Sequence, residues 1–192
     1  MTLRDLVLKT RSYRRFDGEA TIELETLKEL VDLARLSASG SNIQPLKYIL
    51  SVNPATNARI FPLTRWAGYL QDWSGPAEGE RPAAYVVALG DTELRREFDR
   101  DLGIAAQTIM LAATERGLGG CMIGSVDREQ LRAVLDVPER YQILLVLALG
   151  KPAEKVVLEP VGPTGDIRYY RDEDDVHHVP KRSLEEVILG QF

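Results

Sequence analysis

The residues best suited to chemistry stand near the N-terminus, where Arg11, Ser12, Tyr13, Arg14 and Arg15 follow one another directly. Guanidinium groups grip phosphate through paired hydrogen bonds, and a nearby hydroxyl and free backbone N–H groups add donors. Short basic runs also occur as solvated surface patches, so the run alone leaves both readings open. A second basic pair, Lys181 and Arg182, lies near the other end of the chain. Between them, the loop Ser37–Pro45 is rich in small polar residues, including Ser39, Gly40, Ser41, Asn42 and Gln44. Such a loop either binds a polar ligand or simply joins a helix to a strand. The stretch Gly117–Ser125 fits neither the Walker pattern nor the dinucleotide fingerprint, because its glycines follow a helix instead of a strand. A helix C-cap and a tight turn explain most of them. Gly124, after Ile123, is the one whose missing side chain would let backbone approach a flat ligand closely.

Other chemistries find no support. There is no Gly-x-Ser-x-Gly elbow, and the only histidines are His177 and His178. Adjacent residues on an extended chain point to opposite sides, so the two make a poor metal pair, and no cysteine or carboxylate set completes a zinc site. The acidic run Asp172–Asp175 lacks the glycine turn and distant glutamate of a calcium loop. Cys121, the single cysteine, lies in an apolar strand and reads as a packing residue. With no acid, base or nucleophile of its own, the chain would depend on a bound cofactor for any catalysis.

The elements that must position these residues are legible from periodicity. Helices are predicted at Thr2–Lys9, with Thr2 as cap, and at Ile22–Leu36, with Thr21 as cap. Tyr48–Val52, Ala83–Leu89 and Gln142–Leu149 read as strands, the last two so continuously apolar that helices should cover both faces of their sheet. Arg65–Trp73 reads as a short helix carrying Trp66, Tyr69 and Trp73 at helical spacing. The long helix Asp101–Arg116 is apolar almost all round and asks for cover on several sides, a second subunit being one source. Cys121–Ile123 is a short buried strand, and Asp127 caps a helix reaching Leu135. From Lys151 onward the chain reads as an extended arm ending in a short helix around Leu184–Leu189.

Whole-chain properties bound the answer. The 192 residues are 44% hydrophobic and 28% charged, which suits one globular domain spanning 1–192. No apolar run is long enough to span a membrane, the N-terminus does not read as a secretory signal, and a lone cysteine suits the cytoplasm. The net charge of −5 argues against general nucleic-acid binding.

Taken in order, these segments resemble the nitroreductase family of flavoproteins. The family's basic element corresponds to Thr10–Phe16, and its Ser/Asn/Gln-Pro loop to Ala38–Pro45. Its Asp-x-Gly-Ile-Ala-x-Gln helix start corresponds to Asp101–Gln107, its Gly-Leu-Gly element to Gly117–Gly124, and its basic pair before Leu-Glu-Glu-Val to Lys181–Val187. The resemblance implies an α+β fold in three layers, a central, mostly antiparallel sheet flanked by helices, and an intertwined homodimer. It implies FMN as cofactor, with Arg11, Ser12, Tyr13 and Arg14 at its phosphate and ribityl chain and Lys181 and Arg182 near the same end. Ser39, Gly40, Ser41, Asn42 and Gln44 would come from the other subunit, and Ile123-Gly124 would lie along the flavin ring. Trp66, Tyr69 and Trp73 would fall where such proteins build the outer pocket wall. The implied activity is ping-pong hydride transfer from NAD(P)H to a nitroaromatic, quinone, activated alkene or flavin; a specialised flavin catalyst and a non-enzymatic flavin-binding protein are the alternatives. Thr10 stands where many relatives carry a basic residue, Leu46 and Met122 replace frequent aromatics, and Lys181 and Arg182 are adjacent where relatives space the pair.

Overall fold

The two continuous apolar runs lie side by side as the centre of a sheet in the computed structural model, which describes residues 1–192. Strand β2 (Ala84–Asp91) pairs antiparallel with β4 (Tyr141–Gly150), while β1 (Leu46–Ser51) and β3 (Gly119–Ile123) take the edges, giving the order β1-β2-β4-β3. Every residue of β2 is buried, so alternate side chains feed two separate cores. On one face Val86, Leu147 and Leu149 pack with Leu27 and Leu30 of α2 (Leu24–Leu36) and with Ile109 and Met110 of α4 (Asp99–Glu115). On the other, Tyr85, Val87 and Ile143 pack with Ile60, at the end of α3 (Pro54–Ile60), and Leu131 of α5 (Arg128–Leu135). Helices cover both faces, as the strand patterning requires, and the result is the three-layer α+β arrangement that the resemblance implies.

The remaining helix in the N-terminal half, α1 (Leu3–Lys9), begins at a reciprocal cap between Thr2 and Asp5, and α5 begins at Asp127, whose carboxylate accepts from the Gln130 N–H. Two expectations are corrected. Helix α2 starts at Leu24 with Glu23 before it, and Thr21 does not cap it; Ile22 is drawn into the core beside Leu27 and Leu30, which keeps the chain extended up to Glu23. Arg65–Trp73 is a series of turns. Thr64 bridges to Val126, the Arg65 N–H donates to the Ser125 carbonyl at 2.9 Å, and Ala67 adopts a left-handed φ of 43°, so the backbone groups serve the sheet connection and not a helix. The helix of this region is α3, started by Asn53 as cap and Pro54 in the first turn. Helix α4 packs against α2 and the sheet, and Gly103, Ile104 and Gln107 face outward, on the side for which a second subunit was the expected cover.

The C-terminal arm has its own order. Strands β5 (Val156–Pro160), β6 (Tyr170–Arg171) and β7 (His177–Lys181) form a small sheet in the order β5-β7-β6, followed by α6 (Leu184–Val187), two residues shorter than expected. His178 clasps this sheet. Its ring nitrogens lie 2.9 Å from Glu159 and 2.9 Å from Asp172, and it stacks on Tyr170 at 4.7 Å. Hydrogen bonds to those two carboxylates raise the His178 pKa above its ordinary 6.5. The clasp therefore contributes fully below the unfolded value of 6.5 and is lost as pH rises through the higher folded value. Thermal melts across that window are expected to show a decline for the natural chain that His178→Phe lacks; identical pH slopes for both would refute the clasp.

Candidate functional site

Where α1 ends, the chain turns extended and runs beside β3. Ser12 bridges to Gly120 in parallel fashion, and the Tyr13 N–H donates to the Gly120 carbonyl at 2.8 Å. Extended alternation then sends Ser12 and Arg14 to one side and Tyr13 to the other. Phe16, fully buried, closes the run by seating its ring over Gly150, where any side chain would collide with it at 2.6 Å. The N–H groups of Arg14 and Arg15 both donate to the carboxylate of Glu154, which also accepts from Arg171 at 2.9 Å.

Ser12 and Arg14 face a cleft of about 270 Å³ together with Arg11, Gln107, Tyr169 and Lys181. Arg11, Arg14 and Lys181 bring three cations to it, and no carboxylate lines it. Arg11 donates from Nη2 to the Val7 carbonyl at 2.7 Å, while its Nε is buried with no partner. Burial pulls the Arg11 pKa below its ordinary value, as for a cation without a counter-ion. Arg14 is only 8% exposed; its Nη1 lies 3.2 Å from the Ser12 carbonyl and 3.1 Å from His177 Nε2, and the Tyr169 ring covers its face at 4.5 Å. Met110, Met122 and Val179 supply an apolar side. Cations gathered without neutralising partners, beside apolar surface, make a receptor for an anionic ligand with a flat or greasy part.

Thr10 lines the same cleft, but its hydroxyl is engaged, 2.7 Å from the Leu6 carbonyl and 2.9 Å from Thr114 Oγ1. It ties α1 to α4 in place of offering a charge. Tyr13 points away: its hydroxyl donates to the Lys9 carbonyl and its ring rests against Gly119. Of the basic pair, Lys181 reaches the cleft, whereas Arg182, just past the end of β7, pairs with Glu186 at 3.4 Å. Ile123 is buried in the core around Leu131, and Met122 faces the cleft. Gly124 has open space where a side chain would stand, and its carbonyl is held by Arg128 at 3.0 Å.

The loop carrying Ser39, Gly40, Ser41, Asn42 and Gln44 does not reach this cleft. It borders a different cavity of about 400 Å³, to which Asp101 and Tyr48 also contribute. Its shape is firmly set: the Gly40 N–H donates to Asp101 at 2.7 Å, the Gln44 N–H donates to Ser39 Oγ at 2.9 Å, and Ser41, Asn42 and Gln44 all take left-handed φ values of 52–55°. The aromatic trio separates as well. Trp66, 9% exposed, belongs to the core with Gly75 against its ring, which removes it from any pocket wall. Tyr69 is exposed and packs on Tyr169 at 4.9 Å, at the edge of the cationic cleft. Trp73 lies in an outer groove with Tyr69, under the guanidinium of Arg171 at 4.3 Å.

Glu154, Tyr169 and the positioning of His177 escape sequence reasoning, because each acts through a contact more than 130 residues away in the chain. Gln107 left a signal: it is the one exposed polar residue in the run Ile104–Ala113 of α4. Cys121 is buried, and that burial raises its thiol pKa, so it packs and does not react. No three His, Cys, Asp or Glu side chains converge to hold a metal ion, and no helix is long and apolar enough to cross a membrane.

A covered antiparallel sheet, with a cationic cleft between the exit of its first helix and a C-terminal arm, places the molecule in the α+β class. A Desulfovibrio desulfuricans protein described as a nitroreductase, solved in complex with FMN, shares the fold with a TM-score of 0.70 at 19% identity, over 100% of this chain and 97% of its own. The family model for the nitroreductase family matches residues 7–151, and the chain belongs to that family of oxidoreductases. YodC of Bacillus subtilis (strain 168), which carries the name NAD(P)H nitroreductase, is 27% identical over 176 residues, covering 76% of this chain and 87% of YodC. The protein named FMN reductase (NADPH) from the same organism is 24% identical over 192 residues, covering 91% of this chain and 77% of its own length.

Proposed function

We propose that the chain is an FMN-dependent oxidoreductase that passes hydride from NAD(P)H to a small organic acceptor, in the order nicotinamide in and out, then acceptor. The observation that carries this reading is the gathering of Arg11, Arg14 and Lys181 around one cleft without a carboxylate. The orphaned Nε of Arg11 and the three unneutralised charges fit a phosphate, and the Met110–Met122 side fits a flat ring. Bound FMN would supply the redox chemistry, taking a hydride equivalent from the nicotinamide and surrendering it to the acceptor. Arg11 and Lys181 would hold the phosphate, Ser12 would add a donor, and Arg14, fixed by Tyr169 and His177, would present positive charge where negative charge develops. Gly124, open on its outer face, would admit the ring, and Tyr69 on Tyr169 would border the acceptor side.

The site is read as shared between two copies. The cleft of one chain, at about 270 Å³, falls just below the roughly 300–1,000 Å³ usual for ligand pockets. The Ser39–Gln44 loop, preformed elsewhere, would complete a partner's cleft. Apolar surface supports this pairing: no residue of α1 is fully buried, Leu3, Val7 and Leu8 are exposed, and so are Ile104, Leu189 and Phe192.

The test is direct. Purified protein titrated with FMN is expected to quench flavin fluorescence and turn yellow, to bleach within seconds on anaerobic mixing with NADH or NADPH, and to recover colour with a quinone or nitroaromatic. Absence of flavin binding would sink the reading, and a bound flavin that resists both nicotinamides would mark a flavin store. Light scattering is expected to give a dimer; a monomer with full FMN affinity would refute the shared site.

A further inference from the structure

We infer that His177 is a positioning residue for Arg14: it accepts a hydrogen bond from Nη1 of the guanidinium and so aims the remaining donors into the cleft. The inference rests on the flavin reading of that cleft. An arginine has no acceptor, so the 3.1 Å approach of Arg14 Nη1 to His177 Nε2 requires a lone pair on Nε2. The proton then sits on Nδ1, which is buried and has no partner. The Ser12 carbonyl takes the other Nη1 proton at 3.2 Å, and Tyr169 lies against both the guanidinium and the imidazole, at 4.5 and 5.2 Å. Three neighbours thus restrain Arg14 at one nitrogen and one face, leaving its other edge for a ligand.

The choice of a neutral acceptor matters. A carboxylate beside Arg14 would hold it equally well but would cancel its charge, and no ion pair to Arg14 exists here. His177 is 1% exposed, and burial, followed by the charges of Arg14, Arg171 and neighbouring His178, pushes its pKa down to about 4. It therefore keeps its acceptor and stays uncharged at any ordinary pH. Arg14 is held firmly without a counter-charge at its guanidinium.

A double-mutant cycle tests this, with FMN affinity read by fluorescence quenching. His177→Phe is expected to weaken FMN about tenfold in the natural background and by less than twofold in Arg14→Ala. His177→Gln, whose amide oxygen falls near the position of Nε2, is expected to retain affinity within threefold. His177→Leu serves as the apolar variant should the phenylalanine disrupt folding, judged by melting. Equal losses in both backgrounds, or a glutamine variant as weak as the phenylalanine one, would overturn the inference. If the natural chain binds no FMN, the flavin reading fails, and the same cycle read with inorganic phosphate decides the role of His177; binding of neither probe overturns both.

Discussion

Arg14→Ala is expected to weaken FMN binding about a hundredfold, roughly 2.8 kcal/mol, while leaving the protein folded. Hydrogen bonds to charged groups are worth about 1.5–3 kcal/mol each, and those in a partly dry cleft lie toward the upper end. Arg14 is the most buried of the three cations, so the least of its field is screened by water. Arg11 and Lys181 remain in the variant, which keeps the loss short of abolition. Stability should fall less, because the guanidinium leaves behind a carbonyl, an aromatic face and a neutral imidazole, and no buried countercharge. Fluorescence titration together with denaturant melts separates the two effects. Affinity within threefold of the natural chain would exclude Arg14 from the site.

Glu154→Ala is expected to do the reverse, costing fold stability first and ligand affinity as a consequence. The Glu154 side chain is 2% exposed and receives the N–H groups of Arg14 and Arg15 and the guanidinium of Arg171. Its removal strands two backbone donors and leaves Arg171, itself 10% exposed, with only a distant Asp175 carboxylate at 3.8 Å. Breaking a buried charge pair in this way typically costs about 3–5 kcal/mol. Glu154→Gln retains a carbonyl acceptor for one backbone donor and should lose about half as much by the same reasoning. Denaturant midpoints for the three proteins test the order; an alanine variant as stable as the natural chain would mean the carboxylate does not brace the basic run.

The sheet and its two coats of helices were readable because burial on both faces writes itself as unbroken apolar runs, as in Tyr85–Leu89 and Ile143–Leu149. Caps such as Thr2 and Asp127 were readable because the relevant contact spans three residues. Trp66–Trp73 misled because aromatic spacing of three or four residues also arises in turns that follow a sheet edge, and nothing local announces the Arg65–Ser125 bond. The cationic cleft was half legible. Arg11, Ser12 and Arg14 stand together in sequence, but which of Tyr13 or Arg14, and which of Lys181 or Arg182, faces inward depends on strand phase, which only pairing with β3 and β5 sets. Glu154, Tyr169 and His177 could not be found locally at all. They matter through long-range contacts to the basic run.

The exposed first helix has a consequence for how this protein would fail. With no fully buried residue, and with the Thr10–Thr114 hydroxyl contact joining its end to α4, a lone copy of α1 belongs to the least protected stretch of the molecule. Arg11 hangs directly from it through the Val7 carbonyl. Fraying there would carry one wall of the cleft away while both cores stayed intact, so amide hydrogens of α1 would exchange long before those of β2. Cofactor retention would then track the opening of seven residues and not the melting of the whole.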